Sequence, residues 1–325
     1  MPVWVVRVGG GVAAPLLQPL LRLSTRRAGV ALVYHAVDER YGDEAREVLP
    51  PRECSLFRRD LRYLRRHFDV VPAADLPLRV AARRRGQRLP VSVTFDDDLP
   101  EHVEHALPLL AEEGVKATFF LCGASLASPR SFWWERMQRA LDAGATVTEI
   151  VALLPEQTKS RPHGQAVDVQ RLVALIRALT PAERDALNEA LSALAGPDPP
   201  TAGLRSGAVR ELALAGHTIG FHTRRHDDLA TLDDAALGQA LRVGREDLER
   251  LAGQRIDLIA YPHGSADPRV AAAAQAAGFK LGFTVAQRAI TPASDAHLLG
   301  RLGPSGPVAS ALRLSMLRLI VTAPR

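Results

Sequence analysis

Two stretches of this chain set acids and imidazoles where they could work on a polarised bond. The first is Val91-Ser92-Val93-Thr94-Phe95-Asp96-Asp97-Asp98, a β-branched apolar run that ends in three carboxylates. The second is His222-Thr223-Arg224-Arg225-His226, two imidazoles four positions apart. Adjacent carboxylates repel one another and lose hydration on burial, so they need a counter-charge or water. A divalent cation suits oxygen and imidazole donors together. Histidines at this spacing, on a helix or a compact turn, can face one point. On that scheme Asp97, His222 and His226 hold the metal and leave a position for water, while Asp96 takes the water's proton. The metal would lower the water's pKa and polarise a carbonyl, with a backbone N–H at a strand end helping to hold the oxyanion. The plain alternatives are a solvated acidic loop and a chance pair among ten histidines.

The elements that must position these residues form an alternating pattern. Both stretches follow apolar runs that read as buried strands, at 91–95 and 217–221. Further strands are expected at 29–34, 70–71, 117–121, 257–260, 278–285 and 298–302, and helices at 56–68, 100–113, 207–215, 233–251 and 268–277. The β-α-β order implies a parallel α/β sheet or barrel, whose ligands bind at the carboxyl ends of the strands. The acids and the histidines therefore belong on one face. The alternation pauses over 125–203, where helical spacing at 131–141 and 168–194 is cut by Pro- and Gly-rich breaks at 161–164 and 196–203. This reads as a helical insertion, a lid, a substrate wall or padding. The organisation expected is an N-terminal extension at 1–28, barrel parts at 29–124 and 204–303 around the insertion, and a C-terminal helix or tail at 304–325.

Composition narrows the partners. The net charge is +5 and the sequence pI about 9.7, but the positive charge is nearly all arginine, with lysine only at 116, 159 and 280. No nucleic-acid module is visible, so nucleic acid is not an expected partner. Cys54 and Cys122 form no C-x-x-C, and two buried thiols are expected. The first 23 residues are apolar but interrupted by Arg7 and three glycines, and give no convincing signal peptide. A cytoplasmic location is the expectation. The apolar stretch 308–320 with its two arginines leaves a peripheral membrane contact open beside a core-packing helix. Oligomeric state is left undetermined.

At this point the chain resembles the polysaccharide deacetylase family, the NodB-homology domain of carbohydrate esterase family four, from about residue 29 to 302. Thr94-Phe95-Asp96-Asp97-Asp98 is similar to the family's T-F-D-D-G, whose aspartates are base and metal ligand; that maps onto Asp96 and Asp97. His222-Thr223-Arg224-Arg225-His226 is similar to its metal-binding H-[ST]-x-x-H. The resemblance implies a distorted (β/α) barrel of about seven strands, zinc as the metal, and removal of N- or O-acetyl groups from a carbohydrate or glycan precursor. Rival readings are a formamide or cyclic-amide hydrolase of the same superfamily, and a carbohydrate-binding relative without catalysis. Several positions depart from the pattern. Asp98 replaces the glycine and adds negative charge near the metal. The family's R-x-P-Y is Ala260-Tyr261-Pro262-His263, without the arginine that orients the base. Here Tyr261-Pro262 reads as a turn, and His263 keeps the backbone N–H that serves the oxyanion. Arg301, on the last strand, is the proposed substitute for the arginine. The histidine that supplies the general acid has no counterpart, and His35, His263 or His297 could serve. Trp133 and Trp134 read as packing for the insertion, with sugar stacking as the sharper alternative.

Overall fold

The computed structural model describes residues 19–43, 45–159, 167–304 and 309–324. The first eighteen residues, the break expected at 161–164 and parts of the expected C-terminal segment lie outside the described residues. Among the described residues ten strands occur in chain order: β1 (Val30–Tyr34), β2 (Val37–Asp38), β3 (Arg52–Glu53), β4 (Asp69–Val70), β5 (Pro90–Asp96), β6 (Thr118–Leu121), β7 (Thr218–Phe221), β8 (Leu258–Ala260), β9 (Leu281–Phe283) and β10 (Arg301–Leu302). Seven of them form a parallel sheet in the order β10-β1-β5-β6-β7-β8-β9, with β4 paired to the start of β5. Leu299, just before β10, hydrogen-bonds across to β9, its N–H donating to the Gly282 carbonyl at 2.9 Å. The sheet is thereby a nearly closed barrel of seven parallel strands, the distorted (β/α) barrel expected.

Side-chain alternation decides what enters the barrel. On β5, Val91, Val93 and Phe95 face outward into the main core, where they join Phe57, Leu110 and Met316 from surrounding helices. Ser92, Thr94 and Asp96 therefore share the inward face. The interior holds Ala31, Phe120, Leu258, Ala260 and Phe283. It is narrow: a Cβ on Gly220 of β7 would collide with the Phe120 ring.

Several expected elements differ. The helix over 100–113 opens as a π-helix, His102–Ala106, before Leu107–Glu112, and the strands at 278–285 and 298–302 shorten to Leu281–Phe283 and Arg301–Leu302. The single helix over 233–251 is two, Asp234–Ala240 and Arg245–Ala252, because Gly244 between them has φ 88° and that left-handed turn ends the helical path. The helix over 168–194 is likewise split into Val169–Arg177 and Pro181–Ala195. Thr180 and Glu183 close a capping box there and Pro181 starts the second helix. These helices, with Trp133–Asp142 and Val147–Ala152, bury a core of their own around Met137, Ile150, Leu172, Ile176 and Leu191. The helix Ala309–Thr322 sets Leu312, Met316, Leu317 and Ile320 into the main core, and no described helix is long and apolar enough to cross a membrane. Both cysteines are free; Cys122 is buried and Cys54 only partly so.

Gly220→Ala should destabilise the protein by roughly 1–3 kcal/mol by overpacking the barrel interior. Urea unfolding measures this, and an unchanged midpoint would show that Phe120 yields freely.

Candidate metal centre and catalytic carboxylate

Asp96 ends β5 on the inward face, two residues above Thr94. A neighbour in regular extended backbone would point away from the cavity. Asp97 escapes that rule because its φ is 77°, a left-handed conformation that aspartate tolerates better than most residues. The turn brings two consecutive carboxylates to one cavity. Asp98 then turns aside and accepts hydrogen bonds from the N–H groups of Cys122 (2.8 Å), Gly123 (3.1 Å) and Ala124 (2.9 Å). This corrects one expectation: the Asp98 carboxylate is hydrogen-bonded to the loop after β6 rather than directed at the metal, and the left-handed turn falls at Asp97.

His222 follows β7 directly, and His226 follows a compact turn rather than a helix. Thr223 and His226 both take left-handed backbone, φ 57° and 53°. The Nε2 atoms of His222 and His226 lie 3.4 and 3.3 Å from Asp97 Oδ1. One ligand atom from each of Asp97, His222 and His226 falls within 4.8 Å of the others, and all three residues are buried. Asp97 Oδ1 has no hydrogen-bond partner among the described residues. Burial, reinforced by Asp96, Asp98 and Glu135, pushes the Asp97 carboxyl well above the usual range. Burial also holds both imidazoles below theirs, so they are neutral donors. Two neutral nitrogens and an unsatisfied buried carboxylate are the donor set a divalent cation needs, and the residues fit one.

Asp96 is held differently. Arg301 of β10 grips both its oxygens, NH1 to Oδ1 and NH2 to Oδ2, each at 2.6 Å. Arg301 is only 1% exposed. Its Nε donates to the Thr284 carbonyl at 3.0 Å, and NH1 also meets Thr94 Oγ1 at 3.2 Å. Burial alone would raise the Asp96 carboxyl, but the charges of Arg301 and His222 and the Arg301 hydrogen bonds bring it to about 2. Asp96 is therefore an ionised, oriented carboxylate, with Oδ2 at 3.9 Å from His222 Nε2.

A cavity of about 230 Å³ opens over these groups, lined by His35, Asp96, Asp97, His222, His226 and His263 together with Trp133, Trp134 and Val173. His35 and His263 thus both reach the site. His35 is half-buried; burial lowers its imidazole to about 4 against the raising field of Asp96. His263 sits on a left-handed turn, φ 59°, with its ring centroid 4.5 Å from that of His226. Burial, with Arg177 and Arg184 near, lowers it to about 2. His297 is elsewhere: its Nε2 lies 2.9 Å from the Phe279 carbonyl, ahead of β9, which removes it as a source of the acid. Tyr261 donates its hydroxyl to the His297 carbonyl and serves the turn. Trp133 and Trp134 pack the insertion and line the cavity as well. Sequence reasoning missed Thr94, Thr284 and the insertion's Arg177 at the rim. Thr94 had a signal, the two-residue period that puts it below Asp96; the others had none.

The fold and this site together define a parallel α/β barrel with a buried Asp/His/His donor set beside a second carboxylate that Arg301 holds. The chain belongs to the polysaccharide deacetylase family, whose model matches residues 83–188 and 198–282, more than half of the sequence. It is accordingly a hydrolase acting on the acyl groups of carbohydrates. Similar solved structures include the deacetylase PplD of Streptococcus pyogenes, in complex with acetate, at 17% identity and TM-score 0.60, covering 89% of this chain and 98% of that one. IcaB from Ammonifex degensii is 18% identical with TM-score 0.54, covering 89% and 95%. A de-N-acetylase from Aggregatibacter actinomycetemcomitans is 15% identical with TM-score 0.53, covering 85% and 94%. At such identities the likeness is one of fold. No curated protein matches in sequence.

Arg301→Leu should strand a buried Asp96 charge and cost roughly 3–5 kcal/mol. Asp98→Ala should cost roughly 1–3 kcal/mol through the amides it leaves unmet. Chemical denaturation checks both, the first expected to exceed the second.

Proposed function

We propose that the protein removes an acetyl group from an acetamido sugar of a glycan, using a divalent cation at Asp97, His222 and His226 and Asp96 as the base. The observation that carries this reading is the convergence of those three ligand atoms beside a second carboxylate, Asp96, that Arg301 holds apart. A site of two imidazoles and one carboxylate suits zinc. When bound, such an ion supplies Lewis acidity, polarising the acyl oxygen and making water more acidic.

The chain's own residues do the rest. Asp96 accepts the proton of the attacking water on the face its guanidinium partner leaves open. Arg301 keeps it ionised and fixed, in place of an orienting arginine on the turn before His263. The backbone N–H of His263 serves the oxyanion. The leaving amine takes its proton from His35, which lies on the cavity wall in partial contact with solvent and in the field of Asp96; neutral at rest, it first receives the proton that Asp96 took from water or one from solvent. His263 is hemmed by His226 and lies near two arginines, and is the weaker donor. Trp133 and Trp134, both buried, line the cavity and help exclude water. The Arg301 contact on Asp96 also favours turnover over a binding-only role.

Asp96→Asn should lower deacetylation of acetylated sugar oligomers by at least roughly 10²–10⁴-fold with metal content unchanged. Asp97→Ala and His222→Ala should lose metal, measured by elemental analysis. His35→Gln should slow kcat more than His263→Gln. Full turnover by Asp96→Asn would overturn the reading.

A further inference from the structure

His222 and His226 are fixed in different ways. Nδ1 of His222 lies 2.7 Å from the Ala260 carbonyl, the kind of outer contact that sets a ligand's tautomer and aim. Nδ1 of His226 is buried with no hydrogen-bond partner among the described residues. Its turn is also strained, since Thr223, a β-branched residue, and His226 both have positive φ. Such backbone persists only where its surroundings over-determine it.

Those surroundings come from the insertion. Asp227, next in the chain, accepts from Arg184 NH2 at 3.0 Å, the two side chains being 7% and 5% exposed. It also accepts from Arg225 Nε at 2.9 Å, and Arg225 NH2 reaches Asp185 at 2.7 Å. Arg184 and Asp185 both stand on the helix Pro181–Ala195. Trp134, on the helix Trp133–Asp142, meets the His226 ring edge-on at 4.6 Å. Arg136 joins these two helices, bonding Asp198 through Nε and NH2 and the Asn188 carbonyl through NH1.

We infer that Arg184 and Asp227 are positioning residues, a buried ion pair through which the insertion aims His226 at the metal. This rests on His226 being a ligand, as proposed above. The test is the Zn²⁺ affinity of the full-length protein by chelator competition, with the visible spectrum of the Co²⁺-loaded form. Arg184→Leu and Asp227→Asn should each weaken Zn²⁺ binding roughly 10–100-fold and change the Co²⁺ band. The double variant should add little to either, because the pair acts as a unit. Arg184→Lys keeps the charge without the planar fork and should give an intermediate loss; it decides the matter if the other variants do not fold by circular dichroism. Folded variants with wild-type affinity and spectrum would overturn the inference alone. A wild-type protein that binds neither ion would overturn the ligand reading as well.

Discussion

The pairing of Asp96 with Arg301 inside the barrel is the interaction on which the rest depends. A carboxylate at the inward end of β5 loses its hydration, and a guanidinium at the inward start of β10 does the same. Neither is tolerable without the other. The pair spans β1, which lies between their strands, and draws in Thr94 and Thr284 as neutral partners. With the arginine committed to Asp96, Asp97 Oδ1 is left without a hydrogen-bond partner among the described residues and faces only the two imidazoles. That division between adjacent acids leaves one carboxylate ionised and held and the other still lacking a cation, the difference on which the proposed roles of base and ligand rest.

Much of this was legible in the sequence, for reasons tied to period and spacing. The run 91–95 announced a buried strand because β-branched residues end abruptly in acids. The order of acids, histidine pair and late arginine, each beside a strand, put them on one rim. Arg301 was legible because a base without its usual partner needs one, and the last strand of a closing barrel returns to the first. What escaped was conformational. Asp98 sits where the family has glycine, the position at which a special turn would be looked for. Yet the left-handed turn falls one residue earlier, where it redirects a carboxylate that simple alternation would send away. The helix expected over 233–251 broke at Gly244, a residue whose backbone freedom a hydrophobic pattern does not weigh. His297 was near the right place in sequence but on the wrong side of its strand.

The insertion shows a different limit. Its helices were visible from their spacing, and its breaks from proline and glycine. Nothing local in 181–195 says that Arg184 would reach Asp227, 43 residues on, or that Trp134 would lie against His226. Such contacts are set by how two units pack. The insertion stitches itself together through Arg136 and Asp198 and presents a finished wall to the cavity.

The position of Arg301 in the chain has a consequence for biogenesis. Synthesis is vectorial, so β5 with its acids leaves the ribosome some two hundred residues before the arginine that neutralises Asp96. Until β10 arrives, the inward end of β5 has no cation to sit against, and a prematurely closed barrel would be penalised. The late strand thus carries the counter-charge of an early one, so the settled interior and the oriented acid both depend on the last described strand of the barrel.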